Sequence, residues 1–100
     1  MTAYQKAVED RLGPIWYELA KIHGNDLHLG TVDTTFEIPA AGGKMRNVRV
    51  ISNTGGRMDR LIALRALDQL RAPPIPPQVL AELRQDYIEV EESFTVFPNP

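Results

Sequence analysis

The chain has 100 residues, a formal net charge of -2 and no cysteine. This length supports one compact domain spanning 1–100, and a hydrophobic content of 43% is ordinary for a fold with a modest core. The acidic balance gives no field that attracts phosphate backbones, so we expect no nucleic-acid partner. The absence of cysteine removes disulfide and thiolate chemistry and fits the periplasm and the cytosol equally.

No stretch approaches the roughly 20 apolar residues that a membrane-spanning helix needs. We therefore expect a soluble chain, which is either a complete small protein or the soluble part of a longer one.

The first segment has apolar residues at helical spacing and predicts an amphipathic helix from Tyr4 to Ile22. Its apolar face consists of Tyr4, Val8, Leu12, Ile15, Trp16, Leu19 and Ile22. Pro14 has no backbone donor and disfavours helical angles at Gly13, so we expect a kink or a restart there, with 1–13 as a kinked or mobile helical lead.

Residues 30–38 alternate apolar and polar side chains and predict a half-buried strand. The loop Pro39 to Lys44 contains two glycines, and beyond it Val48, Val50 and Ser52 alternate with their neighbours. This pattern predicts a β-hairpin.

A second helix is predicted from about Met58 to Arg71. Its core face consists of Ile62, Ala63, Ala66, Leu67 and Leu70. Four prolines in 72–77 predict a stiff, extended connector. Residues 78–84 are expected to form one or two helical turns, with Val79, Leu80 and Leu83 inward.

The last segment, Tyr87 to Phe97, predicts a strand with Ile88, Val90, Phe94 and Val96 on one side. Glu92 puts a charge at an inward position, so we expect a bulge near Glu91 and Glu92, or a strand that leaves the core there.

Catalytic and metal-binding patterns are weak. His23, Asp26 and His28 lie close together, but they lack the i, i+4 helical spacing and a second ligand cluster, so we expect no metal and no cofactor. Neither Ser52 nor Ser93 lies in a G-x-S-x-G turn, so we do not expect an enzyme.

Five segments in the same order resemble a known family. Residues 30–38 resemble a G-x-V-x-V-x-F-x-I strand, and 43–50 resemble its G-x-V-x-x-x-x-V return. Residues 52–55 and Met58-Asp59 resemble a serine-serine-glycine turn before a helix that opens with leucine-aspartate. With Tyr4 and Trp16 on the first helix and the connector 73–76, these segments are similar to the carboxyl-terminal domain family of TonB, to which the TolA terminal domain is related.

The resemblance implies an α+β fold with two helices packed on one face of a small three-stranded antiparallel sheet. It implies a periplasmic energy-transducer domain of a protein anchored in the inner membrane. Such a domain binds the short N-terminal peptide, the TonB box, of outer-membrane transporters, and an N-terminal region contacts the inner-membrane proton-channel complex. The alternative is a TolA-like or stand-alone envelope scaffold, or a self-associating module.

If the final strand is a sheet edge, it binds the receptor peptide by strand addition, or pairs with a second copy as a homodimer. The expected peptide-binding residues are Asp86, Tyr87, Ile88, Glu89, Val90, Glu91, Ser93, Thr95 and Phe97. Acidic side chains at such an edge also discourage aggregation between edges, and the two roles are compatible. Proline at Ile88 or Val90 is expected to weaken binding more than charge changes at Arg46 or Arg49.

Overall fold

The computed structural model describes residues 3–97, and residues 1, 2 and 98–100 of the predicted domain lie outside this range. A short 3-10 turn, Gly24–Asp26, follows the first helix. The other elements, in chain order, are helix α1 (Ala3–Ile22), strands β1 (Gly30–Pro39) and β2 (Arg46–Asn53), helices α2 (Arg57–Gln69) and α3 (Pro77–Leu83), and strand β3 (Tyr87–Val96). No helix in this range is long and apolar enough to cross a membrane.

The three strands form one antiparallel sheet in the order β2-β1-β3, with β1 in the centre. Side chains of β1 that point to one face, Val32, Phe36 and Ile38, are fully buried. Helix α2 packs against β1 and β2, and α1 packs against α2. The ring of Trp16 on α1 lies 5.0 Å from that of Phe94 on β3. The predicted α+β arrangement is confirmed, with α3 as a short third helix.

Helix α1 continues through Gly13 and Pro14, so the expected restart is wrong. Because Gly13 has no Cβ, much of the clash that a proline makes with the preceding residue is absent. Tyr4, Val8 and Leu12 before the proline and Leu19 after it are all buried in one core, which keeps both halves in line. The apolar face ends early, however, since Ile22 is exposed.

The proline connector is docked and not free. The Tyr4 hydroxyl donates to the Pro73 carbonyl at 2.7 Å, and the Ile75 amide donates to the Ala40 carbonyl at 3.0 Å. The side chain of Ile75 is buried. In α3, Val79 and Leu80 pack on the core as predicted, but Leu83, at the last helical residue, is exposed.

The end of β2, the start of α2 and the start of β1 meet at a close junction. A Cβ on Gly30 would lie 2.5 Å from the Gly55 nitrogen, so only glycine fits there. Asp59 is fully buried beside Gly55, and its Oδ1 accepts a hydrogen bond of 2.9 Å from the His28 amide. Asp59 therefore connects α2 to the segment that leads into β1.

Candidate functional site

Strand β3 forms an edge of the sheet, because within residues 3–97 it pairs with β1 alone. The pairing runs through ten consecutive residues, from Tyr87 opposite Pro39 to Val96 opposite Gly30, without a register shift. The expected bulge near Glu91 and Glu92 is therefore wrong. Glu92 pairs in register with Thr34, and the Thr34 hydroxyl donates to the Glu92 carbonyl at 2.9 Å, which stabilises this pairing.

The main-chain N–H and C=O groups of β3 point toward β1 at one residue and away from the sheet at the next, as they do in any antiparallel edge strand. The Ala40 amide donates to the Asp86 carbonyl at 2.8 Å, which directs Asp86 and every second residue after it toward β1. At the other end, the Thr31 carbonyl accepts from Thr54, on the β2 side, so its partner Thr95 faces outward. The outward groups, here called the β3 edge, belong to Tyr87, Glu89, Glu91, Ser93 and Thr95.

The predicted peptide-binding residues divide into three groups. Those of the β3 edge also direct their side chains to the face that carries no helix. Ile88 and Val90 direct their main chains to β1 and pack their side chains on the core. Asp86 and Phe97 flank the strand, and the side chain of Phe97 is 75% exposed. The peptide-binding role of these residues remains a prediction.

Polar side chains connect the three strands on the open face of the sheet, which is the face that carries no helix. Asp33 on β1 accepts hydrogen bonds from Ser93 on β3, at 2.5 Å, and from Ser52 on β2, at 2.7 Å. These two hydrogen bonds hold the pKa of the Asp33 carboxyl below its usual range, and the bond from Ser93 has the larger effect. The hydroxyls of Thr31 and Thr95 lie 3.0 Å apart. The β3 edge is thus held firmly against β1.

The amino-terminal end of β3 has a cation beside it. The Arg46 guanidinium lies 3.7 Å from Glu37 and 5.8 Å from the centre of the Tyr87 ring. A cation over an aromatic face at this distance is attracted by the ring. Arg46 therefore helps to fix Tyr87, the first residue of the β3 edge, on the open face of the sheet.

Glu92 faces the helix side of the edge, where α1 brings Glu9 close. Burial, and to a lesser extent the nearby negative charge of Glu9, raise the pKa of the Glu92 carboxyl. No ion pair within residues 3–97 neutralises either carboxylate. Sequence reasoning identified Glu92 as out of place but missed Glu9, because helical periodicity places Glu9 on the polar side without showing which strand lies beside it.

The structure shows how His23, Asp26 and His28 lie relative to other possible metal ligands. Within residues 3–97, no three His, Asp or Glu side chains gather as metal ligands would. The main-chain amide of His28 donates to Asp59. Asp59 entered the sequence analysis only as part of the turn-and-helix resemblance. It lies three and four residues before Ile62 and Ala63, so helical spacing places it on the core face of α2, and that signal could have predicted its burial.

The fold and the open β3 edge define a class of small α+β domains suited to binding an extended segment. The solution structure of the TonB carboxyl-terminal domain from Helicobacter pylori is similar to this chain over 100% of its length and 98% of the other, with a TM-score of 0.60 and 13% identity. No protein-family model and no curated protein sequence matches the chain. The chain therefore has the fold of a TonB carboxyl-terminal domain.

Proposed function

We propose that this domain binds a short, extended N-terminal segment of outer-membrane transporters as an added strand along the β3 edge. In this role it serves in the periplasm as the receptor-binding end of an energy transducer, and inner-membrane proton-motive force acts through a preceding region. It carries out no catalytic step. The fold shared with the Helicobacter pylori TonB domain supports this proposal.

The observation that carries the proposal is the regular, unpaired β3 edge. Five residues offer outward main-chain groups at strand spacing, and none is interrupted by a bulge or a proline. Each new main-chain hydrogen bond contributes about 0.5 to 1.5 kcal/mol net. Several such bonds loaded together in shear resist pulling better than one, which suits a domain that must hold its partner under force.

The sharpest test removes one outward donor. Glu91 is exposed and faces away from the core, so Glu91→Pro deletes an edge donor without breaking the pairing with β1. Proline at Ile88 or Val90, chosen from the sequence, would instead disrupt the sheet, because those amides face β1. We expect Glu91→Pro to weaken binding by about 2 kcal/mol, roughly thirty-fold.

The measurement is calorimetric titration with N-terminal transporter segments, accompanied by melting curves. Glu91→Ala is the matched control, since it removes the same side chain and keeps the donor, and its affinity should stay within about two-fold of the parent protein. Equal losses in the proline and alanine variants would contradict binding through the main chain. Dimers that persist on dilution and exclude the peptide would favour the self-associating alternative.

A further inference from the structure

Two open cavities lie along the helix side of β3, between the strand and α1. The first, of about 240 Å³, lies between the amino-terminal half of α1 and residues 88–92. The second, of about 900 Å³, lies between the carboxyl-terminal half of α1 and residues 93–97. A strand added at the β3 edge would place alternate side chains over this side of the sheet. The cavities are therefore positioned to receive those side chains.

The second cavity is mainly aromatic and aliphatic. Trp16 and Phe94 form its floor, and their ring centres are 5.0 Å apart. Around them, Tyr17, Leu29 and Phe97 are 78%, 60% and 75% exposed. Apolar side chains that line a concave surface gain most when another apolar group covers them.

The first cavity also has an apolar wall, formed by Val8 of α1 and by Ile88 and Val90 of β3. Glu92 lies where this cavity ends and the residues of the second begin. It is the one charged residue of β3 whose side chain faces the helices, and Glu9 on α1 lies near it. A cation at this place would face two carboxylates that have no ion-pair partner within residues 3–97.

We propose that the segment bound at the β3 edge carries a lysine or arginine beside Glu92, with an apolar side chain two residues away on each side. Residues two apart in a strand share a face and lie roughly 6.8 Å from each other, so the apolar neighbours reach the two cavities. The pattern apolar-x-basic-x-apolar is the same in either chain direction. This inference depends on the proposed function and specifies the chemistry of its partner.

The test uses four blocked seven-residue peptides with threonine at the remaining positions. The first has central lysine flanked by phenylalanine at two residues on each side, the second and third replace the lysine by glutamine or glutamate, and the fourth replaces both phenylalanines by serine. Titration followed by amide NMR should give the highest affinity for the first, with losses of about ten-fold for glutamate and for serine. Amide shifts should concentrate on residues 87–97.

Matched variants assign the preference to the named groups. Glu9→Gln with Glu92→Gln should bring the lysine and glutamine peptides to within about two-fold of each other. Glu82→Gln, at an exposed position of α3 outside both cavities, should leave the lysine preference unchanged. Tyr17→Ser, at an exposed position, should weaken only the phenylalanine peptides.

Equal affinity for the lysine and glutamate peptides, or a lysine preference that survives in the double variant, would overturn this inference. Binding along β3 that ignores side-chain identity would do so while leaving the proposed function intact. No binding by any of the four peptides would also overturn it, and the separate titration with transporter segments would then show whether the edge-binding function fails as well.

Discussion

The two edges of the sheet differ in regularity. Strand β2 shifts register against β1 twice, once between Asp33 and Thr34 and once between Thr35 and Glu37. In the second irregularity, Asn47 adopts a positive φ of 49°. Strand β3 pairs with the same central strand over ten residues without a shift.

Bulges twist an edge and spoil the spacing of its free donors and acceptors, so they discourage a further strand from pairing. The β2 edge is therefore a poor template, whereas the β3 edge keeps its regular spacing and carries charged side chains instead. Charge discourages random association, but an extended partner with compatible side chains can still add to a straight edge. The contrast indicates that this fold protects its two edges by different means, and that β3 is the one suited to a partner.

Releasing α2 from the segment that leads into β1 should have the largest effect on stability. Asp59→Ala removes the buried acceptor of the His28 amide, so we expect the free energy of unfolding to fall by about 2 kcal/mol. Peptide affinity at the β3 edge should stay within about two-fold at temperatures where the variant is folded, since Asp59 bonds to His28 and lies beside Gly55, both outside β3.

Chemical denaturation and peptide titration of the same samples would check this prediction. Asp59→Asn keeps an oxygen at the place of Oδ1 and should lose less stability than the alanine variant. A parallel loss of affinity in Asp59→Ala would show that the β3 edge depends on the Asp59 junction and would contradict this prediction.

Neutralising the charged side chains of β3 should have the next largest effect. Glu89→Thr with Glu91→Thr removes charges that would face each other if two copies paired through β3. We expect the dissociation constant for self-association to fall about ten-fold. Sedimentation over a range of concentrations would measure it.

The corresponding change on the other edge is Arg49→Thr, which leaves the bulges of β2 and the contact of Arg46 with Tyr87 in place. We expect this variant to remain as monomeric as the parent protein. Association of both variants to the same extent would mean that bulges do not protect β2.

Most of the fold was predictable from periodicity. The alternation in 30–38 and the apolar face of the second helix depend on side chains that pack on one core, and both appear in the structure as predicted. The continuous first helix was not predictable from proline rules alone, because packing of both halves on one core overrides the local preference.

The site was predictable in part. The alternation of apolar and polar residues in the last strand predicted which of its side chains face the core. The direction of its main-chain groups depends on how it pairs with β1, and the sequence has no local signal for that pairing. Glu92 pairs with β1 without a bulge, and this likewise depends on its partner Thr34 and on space beside α1. Both features belong to tertiary pairing, so the outward set of donors and the neighbour Glu9 became visible only in the structure.

The negative charge of Glu92 should slightly lower the free energy of unfolding of the unbound domain. Because the pKa of Glu92 is raised in the folded state, the folded protein holds the proton more tightly than the unfolded chain does. The loss of stability is therefore present in full above that raised pKa. Glu92→Gln should therefore stabilise the domain at pH 7 by about 0.5 kcal/mol. The gain should shrink as the pH falls and vanish below the ordinary glutamate value of about 4. Melting curves of the parent protein and of Glu92→Gln at several pH values would check this.

The smallest expected effect concerns Asp33, which joins both edges to the centre. Its lowered pKa means that its contribution to stability is present above the ordinary aspartate value, near 4, and is lost as the pH falls through the lower folded value. Melting temperatures between pH 2 and 6 should therefore fall less steeply toward acid in Asp33→Asn than in the parent protein. Ser93→Ala should flatten that fall more than Ser52→Ala, because the bond from Ser93 has the larger effect on the Asp33 carboxyl. The reverse order would mean that Asp33 holds the β2 edge more firmly than the β3 edge.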